Sequence, residues 1–471
     1  MAYPPLPPRR LALLALAALA APAALSSCSG DDEPEAVSFG LLLTPGQERD
    51  AWSRDPQPAR VVVSARVPAP GGVGESTVTL ADQAWPFDAL ATSGPPSGSY
   101  TVVSTEVYDA TGAVVMRGET PPFLSDEGYG RELPLLVGRV GEFARPEAKV
   151  VGTWPAPRPV LLDGRYVLLT GGEGAGADGG AELFDLVRLA PLLWRGKLPR
   201  TPASVMTSDG ANALLIDAQG ASSYNFLSGT PGEVTMSAGD AAALAGGDSV
   251  LSDADAAEAF VVGATRPGAP SDKVLRVSKD GLTVVKLATP RSRASAAWVK
   301  GRGLVVVGGA EGAPVEVLAP KASTFKTLLV QAPATFEASL LPTPTAELLV
   351  VGGVDAAGAP TPPQRLPLGC AEACPAVAET LTLPTLRGGR AFDVGKAGTW
   401  LVVGADAEGF ASAHLIDAST TPAGATPVAP RVRRRGGASL AVGGGYVAIV
   451  GGTDAAGLPV PDVELFTPPP P

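Results

Sequence analysis

Seven times between residues 148 and 467, three or four consecutive apolar β-formers run into a glycine or a near equivalent. The anchors are VLLTGG at Gly171, LLIDAQG at Asp217, FVVGA at Gly263, LVVVGG at Gly308, LLVVGG at Gly352, LVVGA at Gly404 and VAIVGG at Gly451. They lie 46, 46, 45, 44, 52 and 47 residues apart. That period matches four-stranded propeller blades and is well above that of leucine-rich repeats. One such unit cannot bury its apolar face alone, so the units must stack. A coiled coil is excluded, because 57 Gly and 48 Pro break the chain throughout.

Each unit also repeats an internal order. An Arg- or Pro-containing lead-in precedes an apolar strand, a turn, the glycine-ended strand, a Gly-containing loop and a third strand such as residues 181–185 or 463–466. This order resembles the kelch motif of the galactose oxidase central domain. The resemblance implies an all-β fold with a seven-bladed kelch-like β-propeller over residues 148–467. Asp217, Gly263 and Gly404 depart from the motif by lacking the second glycine, and its outer-strand Trp is mostly missing. The last unit runs out of strands at a Pro tail, 468–471. Residues 149–154 (KVVGTW) read as an outer strand, and the expectation is that they complete the last blade and shut the ring.

Upstream, Arg9 and Arg10 precede 15 apolar residues, 11–25, then Ser26, Ser27 and Cys28. That run is too short to span a bilayer and reads as an export signal. Residues 25–28 resemble the lipobox of bacterial lipoproteins, which implies cleavage after residue 27 and acylation of Cys28. Ser29 after the Cys implies the outer membrane by the sorting rule of enteric bacteria. Residues 28–36 form an acidic tether. Residues 37–145 carry strand signals at 37–43, 60–67, 76–80 and 99–107, with a hairpin over 100–118 turning at Asp109-Ala-Thr-Gly112. They are similar to a small immunoglobulin-like β-sandwich, read as a spacer that lifts the propeller off the membrane.

The formal net charge of −11 disfavours nucleic acid. Cys370 and Cys374, four apart in the widest gap between anchors, read as a disulfide stapling a loop in an oxidising compartment. His414 is the single histidine, which leaves no set of ligands for a metal and no confident triad. It cannot supply the two His and two Tyr that kelch-like copper oxidases place on their metal. His414 reads as structural, the glycine-rich loop 171–180 lacks a following Lys-Ser/Thr, and Asp253, Asp255 and Glu258 lack the rest of a calcium loop. No catalytic residue, metal or cofactor is expected.

Seventeen residues before an anchor stand Arg200, Arg291, Arg387 and Arg434. Two readings stay open: each Arg packs or pairs within its own blade, or the four form a cationic rim at one mouth of the channel. The chain thus reads as a monomeric, non-catalytic envelope lipoprotein whose propeller binds or scaffolds an envelope protein or acidic glycan. The alternatives are a sugar-modifying enzyme working at the channel and an envelope-assembly component that offers blade edges to a partner.

Overall fold

A computed structural model describes residues 40–471 apart from 70–73, 88–93, 96–97, 129–131, 172–179, 193–197, 254–256, 332–333, 370–373 and 385. The expected signal, tether and Cys28 lie outside the described residues. No helix among them is long and apolar enough to cross a membrane.

The described residues before 140 are mostly β, with one 3-10 turn at Ser125–Gly128, and are built on alternation. Pro58–Pro68 and Tyr100–Asp109 bury every second side chain. These strands sit at the centre of a sheet ordered Glu75–Ala84, Pro58–Pro68, Tyr100–Asp109, Val114–Glu119, Gly138–Arg139, with Phe123–Leu124 also on Tyr100–Asp109. Gly40–Thr44 pairs in parallel with Glu132–Leu136 as a second layer. Val61, Val63, Val103, Val107, Met116, Leu133 and Leu135 form the core between them. The hairpin falls where the sequence places it. Asp109 Oδ1 accepts the Thr111 and Ala113 amides at 2.8 and 3.0 Å, and Gly112 takes φ +85°.

The rest of the chain folds mainly into four-stranded antiparallel sheets, seven among the described residues, with a short parallel pair, Val330–Gln331 on Cys374–Pro375, and one helix, Ala238–Leu244, beside them. Sheet 1 comprises Arg158–Leu162, Tyr166–Thr170, Glu182–Asp185 and Ala190–Leu192. Sheet 2 is Ser204–Asp209, Asn212–Ile216, Ala221–Asn225 and Thr230–Val234; sheet 3 is Asp248–Leu251, Ala259–Val262, Ser271–Ser278 and Gly281–Arg291. Sheet 4 holds Ser295–Val299, Gly303–Val307, Glu316–Leu318 and Lys326–Thr327, and sheet 5 Ser339–Pro342, Glu347–Val351, Gln364–Pro367 and Val377–Ala378. Sheet 6 holds Arg387–Asp393, Thr399–Ala405, Ala411–Asp417 and Gly424–Val428, and sheet 7 Ala438–Gly443, Tyr446–Val450, Glu464–Phe466 and Phe143–Ala144. The first strand of each sheet neighbours those of the sheets before and after it, and sheet 1 meets sheet 7. Apolar second strands fill the spaces between sheets: Val305 and Leu348 share one cluster, Val403 and Val447 another. Repeated sheets in this order are consistent with a β-propeller.

The chain ends do share a sheet, but through a different segment from the one expected. Phe143 and Ala144 pair with Phe466 and Leu465, and the Phe143 and Phe466 rings meet at 5.5 Å. Residues 149–154 form no strand. They are the lead-in to sheet 1, pinned by Glu182, whose carboxylate accepts the amides of Val151 and Gly152 and the Trp154 indole at 2.6, 2.8 and 2.9 Å. A strand-like sequence is thereby used to cross from one sheet to the next.

The paired glycines do more than turn the chain. Gly308, Gly352 and Gly451 have φ near +65°, and a Cβ there would lie 2.1, 2.6 and 2.4 Å from the carbonyl oxygens of Thr335, Leu386 and Trp154 in the next sheet's lead-in. The following glycine donates its amide to that same carbonyl, Gly309 to Thr335, Gly353 to Leu386 and Gly452 to Trp154, at 2.7–2.9 Å. A side chain at the first glycine would therefore push neighbouring sheets apart.

Candidate functional site

Seventeen residues before four of the anchors, the lead-in side chain bonds the third strand of the sheet that follows it: Trp154, Arg200, Arg291 and Arg434. Arg291, which ends the fourth strand of sheet 3 and leads into sheet 4, is fully buried; it pairs with Glu316 of sheet 4 and donates to the Gly308 and Pro314 carbonyls at 3.3 and 2.8 Å. In sheet 7, Arg434 is likewise buried against Glu464 at 2.8 Å and the carbonyls of Gly451 and Asp462 at 2.9 and 3.0 Å. Burial works against the charge of both arginines and raises the Glu464 carboxyl, with the pairing acting the other way. Arg200 is half-buried on Asp217 and Ser222, at 2.8 and 2.9 Å. Trp154 holds the same place in sheet 1, donating to Glu182 instead.

Sheet 6 has no such pair among the described residues. The slot two residues before the anchor faces Glu182 in sheet 1, Glu316 in sheet 4 and Glu464 in sheet 7, opposite Leu169, Val306 and Ile449. In sheet 6, Val402 faces His414. His414 is buried, its Nε2 lies 3.5 Å from Ser412 Oγ, and burial pushes its pKa below the ordinary imidazole value. A neutral imidazole cannot neutralise a guanidinium, and Arg387 stays exposed with one long contact, 3.4 Å, to the Gly358 carbonyl. The four arginines therefore do not share one environment: Arg291 and Arg434 are internal struts, Arg200 is paired, and only Arg387 faces solvent.

Arg387 meets other cations instead. It lines a cavity of ≈ 520 Å³ at one end of the space enclosed by the first strands, with Arg158, Arg390, Asp248 and Glu337. Arg390 pairs with Asp248 of sheet 3, and Glu337 with Arg293 at 3.6 Å. Arg158 and Arg387 have no carboxylate partner among the described residues. Burial weighs against the Arg158 charge, Asp248 supports it and Arg390 opposes it. Beside the cavity, Arg433 and Arg435 place their guanidinium carbons 3.9 and 4.1 Å from the Phe410 ring, both exposed. Glycines 247, 388, 404, 409, 436 and 437 also line the cavity. The run Arg431-Val-Arg-Arg-Arg435 was the available sequence signal for this cluster; the offset of seventeen finds Arg387 but not Arg158, Arg390, Arg433 or Arg435.

Cys374 is disulfide-bonded, and Cys370 lies outside the described residues. No group of three or more His, Cys, Asp or Glu suited to a metal occurs among the described residues.

No family model matches the chain. No curated protein matches it either. Solved structures similar to it include a chain of the mitotic checkpoint complex, with 13% identity, TM-score 0.36 and coverage of 68% of this chain and 90% of that one. Another is the calcium-binding protein regucalcin from Agrobacterium tumefaciens, with 10% identity, TM-score 0.35 and coverage of 68% and 93%.

Proposed function

We propose that this chain is a bacterial envelope lipoprotein, anchored to the outer membrane through Cys28, in which an immunoglobulin-like spacer carries a seven-bladed kelch-like propeller that binds a carboxylated glycan. The observation that supports the binding reading is the set of under-neutralised guanidiniums at one end of the channel, Arg158 and Arg387 foremost, on a protein whose formal net charge is −11. Crowded like charges repel, and an anion offsets that cost. Planar guanidiniums fit carboxylates in a bidentate way. The ligand is held, not transformed, in this reading.

The test is titration with an oligogalacturonate and with its neutral methyl ester. The acidic form is expected to bind more tightly, and Arg158→Ala with Arg387→Ala to weaken it at least tenfold. Binding should also fade with added salt, since exposed charges are screened over ~8 Å at physiological ionic strength. Arg291→Ala and Arg434→Ala belong to the other class, and their effect is expected on melting. Equal binding of acid and ester, or equal binding by wild type and the double variant, rejects the reading. Anchoring is tested separately: Cys28→Ser should release the protein from membranes or leave the precursor uncut, and unchanged fractionation and mass would refute the lipid.

A further inference from the structure

A second cavity, of ≈ 280 Å³, lies where the first β region meets sheets 1 and 7. Its wall is mostly apolar, with Pro121, Leu135 and Leu136 from one side and Leu161, Leu186 and Val442 from the other. Arg66, Glu119, Thr120 and Thr467 also line it, and one further polar atom stands without a partner. Tyr446 opens the second strand of sheet 7, is 9% exposed and lines the cavity, and its hydroxyl is buried with no hydrogen-bond partner. Burial holds the phenol protonated, so it is a donor without an acceptor.

The nearby charges are already committed. Arg66 holds Glu119 at 2.8 Å, and Arg117 faces Glu106 at 3.6 Å and donates to the Pro469 carbonyl at 3.1 Å. A charged ligand would have to enter an apolar space with no free counter-ion there, which is costly. A neutral head that accepts one hydrogen bond meets no such penalty. The volume is about twice the roughly 150 Å³ that takes up benzene in an apolar protein cavity.

We infer that this junction is a binding site for a small neutral, largely apolar molecule with a carbonyl-type oxygen that accepts the Tyr446 hydroxyl. Such a ligand touches both halves of the chain and stabilises their docking by mass action. The site is independent of the cationic cavity.

Three isosteric probes test it on the full chain: acetophenone, isopropylbenzene and benzoate, titrated by saturation-transfer NMR. Acetophenone is expected to bind best and benzoate not at all. Tyr446→Phe should weaken acetophenone about tenfold, the loss of one hydrogen bond, and leave isopropylbenzene unchanged. It should not lower the melting temperature, because the hydroxyl it removes is unsatisfied. Leu161→Trp, filling the cavity, should abolish binding of both, and Arg158→Ala should change neither. Absence of acetophenone binding to the wild type overturns the site, as does binding that Tyr446→Phe and Leu161→Trp leave intact. Isopropylbenzene binding as tightly as acetophenone, or benzoate binding best, overturns the ligand class assigned.

Discussion

A single slot on the third strand separates an arginine that holds the fold from one free to meet a ligand. Where the slot carries Glu, the lead-in residue is drawn inward; where it carries His414, Arg387 remains outside. Glu464 shows how much rests on that slot, since it accepts the amides of Val432, at 2.9 Å, and Arg431 as well as the Arg434 guanidinium. Removing one member of a buried pair strands the other, so Glu464→Gln is expected to cost about 3–5 kcal/mol in chemical denaturation. The double change Arg434→Met with Glu464→Leu should recover only part of this, because two backbone amides still lose their acceptor. His414 adds a pH dependence of known sign. Its pKa is lower folded than unfolded, so the unfolded chain binds the extra proton first, and stability should fall as pH drops below about 6.5 and level off below the folded value. His414→Gln should flatten that slope, and an equal slope in both proteins would assign it elsewhere. The arginine offset is legible in the sequence. The pairing is not, because Glu316, Glu182 and Glu464 follow their anchors by eight, eleven and thirteen residues, the loop between the strands being elastic in length.

At the level of elements, the anchors are legible because an apolar run ending in glycine serves both a strand and a contact between sheets. Three of the loops that follow the anchors share a further device, with Asp355, Asp406 and Asp454 each accepting two amides, two and four residues on, at 2.8–3.0 Å. The sequence shows it as Asp-Ala-x-Gly, with the glycines at φ +80 to +85°. The closing strand escapes such reading. Phe143–Ala144 spans two residues between Gly141 and Pro146, too few for any period, whereas residues 149–154 have the composition of a strand but meet the Glu182 carboxylate. Phe143 is fully buried, and Phe143→Ala is expected to lose about 3–5 kcal/mol and to broaden the unfolding transition. Deleting residues 142–145 should expose an edge and promote association, seen by light scattering.

Over the whole molecule, the first β region is bound to the ring at many points. Arg165 of sheet 1 joins Asp185 at 2.8 Å and reaches Glu127 at 2.6 Å; Gln47 meets Asp462 at 2.9 Å; Val187 belongs to the first region's core. The strand just before the expected boundary at residue 145 belongs to sheet 7. A chain beginning at residue 148 is therefore expected to aggregate or to melt well below the full protein, measured by calorimetry. This closure has a further consequence for how the protein is made. Residues 143–144 are synthesised before sheets 1 to 6, and their partners at 465–466 after them. Every sheet between them can form as it emerges, but the ring cannot lock until residues 465–466 follow, so the nascent chain carries an unmatched edge throughout that interval. A chain cut before residue 464 would keep that edge open for the life of the molecule.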